Sequence, residues 1–188
     1  MSHAHPGADV SVRVAWADDA DAIAAVQVRA WPEMYAGLLP ADVLPTDVEE
    51  VALQWRQALV RPTDARHRAL VALERNRVVG FALTSPAGDP DCDPVADGEL
   101  GELTLDPAER AKGHGSRLLQ AAVDTLAADT LAADRFTRAV TWVNVGDDAL
   151  RTFLTEAGWA PDTAHRELDL DGTGTTTVKQ VRLHTAIG

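Results

Sequence analysis

Glu99-Leu100-Gly101-Glu102-Leu103-Thr104-Leu105 runs into Asp106-Pro107-Ala108-Glu109-Arg110-Ala111-Lys112-Gly113-His114-Gly115-Ser116-Arg117, and then into an apolar-periodic stretch through Leu118, Leu119, Ala122, Val123 and Leu126. The three parts read as strand, loop and helix. Gly113 and Gly115 allow backbone conformations or a close approach that a Cβ hinders, where a helix begins with free N–H groups pointing outward. Such a terminus favours phosphate oxygens, and Arg110, Lys112 and Arg117 add positive charge around it. A pyrophosphate suits the arrangement; for an isolated Gly-x-Gly the alternative is a plain tight turn. No third glycine completes a dinucleotide fingerprint, and no Gly-Lys-Ser/Thr ends a nucleotide-triphosphate loop.

Upstream, residues 10–16 alternate as a strand, with Val10, Val12, Val14 and Trp16 on one face. Asp18 or Asp19 can cap a helix that carries Ile23, Ala24, Val26 and Ala30 up to Pro32. Residues 31–40 read as an ordered loop or short helix. A second helix spans 46–60, opened by the capping box Thr46-x-x-Glu49. Runs 69–73 and 78–84 form an antiparallel hairpin. Downstream lie a strand at 137–143, a helix at 147–157 ending at Gly158, and two strands at 166–170 and 178–184. The unit Asp-Thr-Leu-Ala-Ala at 124–128 recurs at 129–133, too short a period for a solenoid. The order β, α, α, β, β, β, α, β, α, β, β predicts an α/β (α+β) domain over 10–188, with a flexible tail at 1–9.

The 188 residues carry 17 basic and 29 acidic side chains, a net charge of −12. That balance argues against nucleic acid and anionic membrane as partners, both of which require a basic surface. From 85 to 106 the chain holds acids but no base, which suggests a cationic acceptor near that loop. Cys92 is the single cysteine, so no internal disulfide or multi-cysteine zinc site is expected, and no other metal site is predicted. The first residues show neither a basic nor an apolar leader pattern, and no run reaches the roughly 20 apolar residues of a membrane span. A cytoplasmic setting is the expectation. Trp16, Trp55, Trp142 and Trp159 are expected in the core.

The pattern Arg110-x-x-Gly113-x-Gly115, preceded by a strand and Asp106-Pro107, resembles the acetyl-CoA signature of the GNAT acetyltransferases. Trp142-Val143, Asp147-Asp148-Ala149-Leu150, Phe153 and Gly158-Trp159 resemble the family's later strand-helix segment, and residues 31–40 are similar to an aromatic stretch of one subgroup. The resemblance implies a central mixed, mostly antiparallel sheet, splayed between the strand ending at Leu105 and the one at 137–143. It implies acetyl-CoA as cofactor, with the backbone of Leu103, Thr104 and Leu105 pairing with its pantetheine arm and the N–H groups of Lys112, Gly113, His114, Gly115 and Ser116 holding its pyrophosphate. The His114 side chain is expected to point outward. An N-acetyltransferase acting by direct attack of a primary amine of a small molecule or peptide is the function implied. An acyl-CoA-binding sensor or interaction module without catalysis is the alternative. Family members often pair through sheet edges or final strands, so a homodimer belongs to the expectation.

An alkyl ammonium with pKa around 10 must lose a proton before it attacks, and a carboxylate near the thioester can accept it if desolvation raises its pKa. Glu99 and Glu102 are the catalytic candidates. Glu99 takes the first place, because counted back from the Arg110 loop it matches the catalytic glutamate of several histone-type family members. Strict alternation puts the two on opposite faces, a parity that a bulge would reverse. Many family members carry a general-acid tyrosine where this chain has Leu154, which leaves three readings: the thiolate leaves unprotonated or through water, Tyr35 supplies the hydroxyl, or catalysis is lost. Trp31 and Tyr35 are the acceptor-groove candidates.

Overall fold

The chain reverses at Arg75 and Asn76, both with left-handed backbone (φ 49° and 63°). A two-residue turn of this hand matches the twist of its flanking strands, here β2 (Arg68–Glu74) and β3 (Arg77–Pro86). The computed structural model describes residues 9–128 and 135–188. Around the hairpin, β1 (Val10–Val14) adds to β2, and β4 (Asp97–Leu105) adds to β3, all antiparallel. The parallel neighbour of β4 is β5 (Arg138–Asn144), followed across the sheet by β7 (Thr177–Ala186) and, at the edge, β6 (Ala160–Asp169). The expected α/β fold with one mixed, mostly antiparallel seven-stranded sheet is what forms.

Helices cover both faces. On one, α3 (His114–Ala127) buries Leu118, Leu119, Ala122 and Leu126 against Leu70, Val79, Ala82 and Leu100, and α4 (Asp148–Glu156) adds Leu154. On the other, α1 (Ala20–Met34) sets Ile23 and Val26 on Val71 and Phe81, with Trp55 and Leu59 of α2 (Val48–Val60) packed beside them.

Three local expectations need correction. The first helix does not stop at Pro32 but continues to Met34, because a proline in the last turn removes only its own bond to residue 28. The cap of α2 is Asp47, not Thr46: its carboxylate accepts the Glu49 and Glu50 amides at 3.0 and 3.3 Å. Trp16 is 63% exposed rather than in the core. β1 ends two residues before it, and the Arg13 guanidinium lies 3.8 Å over its ring. The tail at 1–8 with His3 and His5, and the second Asp-Thr-Leu-Ala-Ala unit, fall outside the described residues.

The feature that positions the site is an incomplete pairing. β4 and β5 pair only over residues 97–99 and 138–140, after which β5 continues beside β7 and β4 beside β3. At the fork, the Thr141 hydroxyl donates to the Leu100 carbonyl at 2.8 Å. On the other side of β4, Glu102 lies opposite Leu83 and Leu100 opposite Thr84, so Gly101 is an extra residue, a bulge that bends the strand away.

Below the fork the halves of the sheet are clasped. Arg182, 4% exposed, donates to Asp91 at 2.6 and 2.8 Å, to Asp162 at 2.7 Å and to Asp89 at 3.3 Å. Arg138 reaches Asp97 and Asp162, and Arg166 stacks 4.2 Å over Trp142. Three acids of the loop, Asp89, Asp91 and Asp97, are therefore paired by arginines from β5, β6 and β7, which weakens it as an attractor for a cationic acceptor. Arg182→Met is expected to destabilise the fold by about 3–5 kcal/mol, because it strands buried carboxylates. The guanidinium holds the Asp91 carboxyl at about 2, below its ordinary 3.8. A lowered carboxyl pKa contributes stability above the ordinary value and loses it as pH falls toward 2. Urea melts at pH 7 and pH 3 therefore read a deficit that narrows in acid.

Candidate active site

The loop between β4 and α3 passes through Ala111 (φ 61°) and Gly113 (φ 82°), both in the left-handed region. Ala111 is strained there and Gly113 is not. This path turns the chain so that α3 starts at His114, with its first helical bond running from Arg117 N–H to Gly113 C=O. The amides of His114, Gly115 and Ser116 precede that bond and are left for a ligand.

Behind the loop is a buried anchor. Glu109, 6% exposed, accepts from Arg77 at 2.5 Å and from Lys112 at 2.7 Å, and these cations hold its carboxyl at about 2. His114 does not point outward. It is 2% exposed and lies 3.0 Å from Glu74, because the helix start turns its ring toward the hairpin. Glu74, Glu109 and His114 lie close enough for a metal, yet Arg77 and Lys112 already occupy the Glu109 carboxylate. Arg110 pairs with Glu33 on α1 at 2.6 Å, and Arg117 leans over Gly113 to the Lys112 carbonyl.

From this loop a cavity of about 820 Å³ runs up the fork, lined by Leu103, Thr104, Leu105, Gly115, Asn144 and Phe153 among others. The Asp106 amide bonds back to Val79, so by alternation the amides of Leu103 and Leu105 face the open side. A Cβ built on Gly115 would lie 3.4 Å from Leu105 and 3.7 Å from the Phe153 ring, so a larger side chain would fill the passage. An open strand edge leading to free helix N-terminal amides is a donor set that fits a long amide-bearing arm ending in a pyrophosphate. Acetyl-CoA has that shape.

The family model described as "Acetyltransferase (GNAT) family" matches residues 21–159. This chain belongs to the GNAT acetyltransferase family. Membership makes it an acyltransferase that takes acetyl-CoA as donor. Among solved structures the GNAT chain is similar to yncA from Salmonella typhimurium with its cofactor acetyl-CoA (16% identity, 96% of this chain and 95% of that one, TM-score 0.66). It is also similar to the PaiA N-acetyltransferase of Thermoplasma acidophilum in complex with coenzyme A (14%, 94% and 98%, 0.64). The ribosomal-protein-S18-alanine N-acetyltransferase of Escherichia coli is a third (14%, 95% and 94%, 0.64). At these identities the likeness is one of fold. No curated protein matches the sequence.

In this GNAT chain the bulge settles the relation of the two glutamates. Glu102 faces Leu83 and Glu99 faces Ser85, residues two apart on β3, so both carboxylates lie on the α1 face. Their surroundings differ. Glu99 stands among Asp89, Arg166 and Arg182 at the clasped end; burial, then Asp89, pushes its carboxyl up against the opposing pull of Arg166. Glu102 accepts from the Trp31 indole at 3.1 Å and the Thr104 hydroxyl at 2.9 Å, and burial pushes its carboxyl up against the pull of these two hydrogen bonds. It is in the wall of two cavities. One, of about 190 Å³, occupies the fork with Tyr35, Asn144 and Leu154; the other, of about 640 Å³, opens on the α1–α2 side with Trp31 and Trp55. Glu99 is in the wall of neither.

Trp31 and Tyr35 meet edge to face at 5.4 Å and divide these spaces. Leu154, 1% exposed, brings no hydroxyl to the fork. Asn144, which sequence reasoning missed, lines both fork cavities and is held by Gln180 at 2.8 Å. A lone polar residue at the end of an apolar strand was its only signal. Among the described residues no helix is long and apolar enough to cross a membrane.

Proposed function

We propose that the protein is an N-acetyltransferase that moves an acetyl group to a primary amine by direct attack in a ternary complex, with Glu102 rather than Glu99 as the base. The observation that carries this reading is the place of the Glu102 carboxylate, shared between the fork cavity and the larger cavity on the opposite side. Bound acetyl-CoA supplies an activated thioester carbonyl. The amides of His114, Gly115 and Ser116 hold the pyrophosphate, and those of Leu103 and Leu105 align the arm with the fork. Trp31 and Thr104 fix one oxygen of Glu102, which leaves the other to take the proton of the amine, directly or through water. Burial and then the charge of Glu102 push the Tyr35 phenol above its ordinary range, so it stays protonated at neutral pH and is the hydroxyl available to the departing sulfur.

The acceptor is a small-molecule or peptide amine. Following free thiol release from acetyl-CoA across a panel of primary amines tests the proposal, with turnover expected for at least one amine above the rate with water. The sensor reading is supported by Leu154 at the position of the usual tyrosine. Tight acetyl-CoA binding with no amine turned over would establish it instead.

A further inference from the structure

Asn144, Gln180 and Arg166 stand in one rung across three neighbouring strands. Asn144 on β5 lies opposite Gln180 on β7, and Gln180 lies opposite Arg166 on β6. Residues directly opposite on paired strands share a face, so the three side chains meet. A guanidinium only donates, and the Arg166 Nε donates to the Gln180 Oε1 at 2.8 Å. That turns the Gln180 Nε2 the other way, where it donates to the Asn144 Oδ1 at 2.8 Å. The rung is therefore directional: the charge on Arg166 sets the orientation of both amides, and the Asn144 Nδ2 is the donor left over. Among the described residues that nitrogen has no hydrogen-bond partner. Arg166 is itself held, 4.2 Å over the Trp142 ring and 3.8 Å from Asp89.

The leftover donor is at the junction of the two fork cavities. Met34, Leu103, Asn144, Asp147, Leu150 and Val178 line both the passage of about 820 Å³ and the space of about 190 Å³ that holds Glu102 and Tyr35. Four of these are apolar, and the Asp147 carboxylate accepts the Leu150 amide at the start of α4. Asn144 is the one of them whose side chain can donate. In the acetyltransferase reading above, on which this inference rests, the thioester arrives through the passage and the amine loses its proton to Glu102 in the smaller space. The acetyl carbonyl then lies between the two, beside Asn144. We infer that the Asn144 amide nitrogen donates to the acetyl carbonyl oxygen and stabilises the negative charge that gathers there, with Gln180 and Arg166 as positioning residues. The amine nitrogen forms the new C–N bond as the carbonyl π pair moves onto oxygen. That pair returns as the C–S bond breaks, the sulfur leaves with the bonding pair, and the amine proton passes to Glu102. A donor already aimed at the oxygen is worth more as its charge grows than before attack, which favours the reaction although Leu154 brings no hydroxyl to the fork.

Two variants test it. Asn144→Leu keeps the bulk and removes the donor. Gln180→Glu keeps Asn144 and Arg166 but reverses the last link: the new carboxylate can only accept, so it takes the guanidinium on one oxygen and turns the Asn144 amide round, presenting an acceptor to the junction. The first readout needs no amine. In the infrared spectrum of carbonyl-labelled acetyl-CoA bound to the protein, the carbonyl band is expected at lower frequency in the wild type than in either variant, while the dissociation constant of acetyl-CoA stays within a few-fold. The second is turnover with whichever amine the panel finds, where each variant should lower kcat by about 100-fold, the loss of one oxyanion donor. A purely structural role would not move the band. A band left in place by either substitution overturns the inference: with Asn144→Leu because no donor was lost, with Gln180→Glu because the rung does not orient the amide. Failure of every amine to turn over, with the band shifted as expected, would strike the acetyltransferase reading and leave the contact to the carbonyl standing.

Discussion

Glu102→Gln is expected to lower kcat/KM for the amine by about 10²–10⁴-fold while acetyl-CoA binds as before, the range that a positioned general base supplies. The amide keeps an oxygen for the Trp31 indole and the Thr104 hydroxyl, so the site holds its shape and loses only the proton acceptor. Glu99→Gln should cost far less, because that carboxylate stands in the clasp with Asp89 and Arg166. An equal loss in the two variants would reverse the assignment. The pH dependence has a definite sign. Burial raises the Glu102 carboxyl above its ordinary 4.5, so the acid limb of the wild-type rate profile lies above that value and disappears in the glutamine variant. Stability moves the other way. A carboxyl whose folded pKa is raised binds its proton more tightly when folded, and the native state loses stability as pH rises from 4.5 through the raised value. The glutamine variant should therefore melt higher than wild type at pH 8, with the gap closing below pH 4.5. An enzyme that gains stability as it loses activity is the signature of a charge kept for chemistry.

Gly113→Asp is expected to raise the dissociation constant of acetyl-CoA by at least about 100-fold, read by calorimetry. Two causes act together. The φ of 82° is one that side-chain-bearing residues rarely adopt, and the new carboxylate would stand where the phosphates are to be held. Lys112→Gln should cost only a few-fold, because that ammonium is already engaged by Glu109 at 2.7 Å and the loop is proposed to bind through its amides. If the lysine variant lost as much as the glycine variant, side-chain charge rather than backbone would be the main attraction.

The hairpin, the strand-loop-helix unit and the late strand-helix segment were all legible from local pattern, because periodicity and turn residues act over a few positions. What escaped depends on contacts between distant parts of the chain. The acids at 89, 91 and 97 read as an exposed negative field until Arg138 and Arg182 arrive from far along the sequence. That Glu99 and Glu102 share a face depends on one extra residue, Gly101, whose bulge spacing alone does not place; what separates them is the cavity wall, which takes in Glu102 and not Glu99. His114 looked like a loop ornament because nothing nearby in sequence says that Glu74 waits behind it.

The bond from the Thr141 hydroxyl to the Leu100 carbonyl marks where the opening between β4 and β5 stops. It works like the stitch at the end of a seam. Whatever prises the upper strands apart meets a hydrogen bond there and, just below it, a knot of buried arginines and carboxylates that resists being pulled open. A ligand that pushes the fork wider therefore loads the junction of the two halves, and the walls on either side of the cavity keep their spacing as long as the stitch and the knot hold.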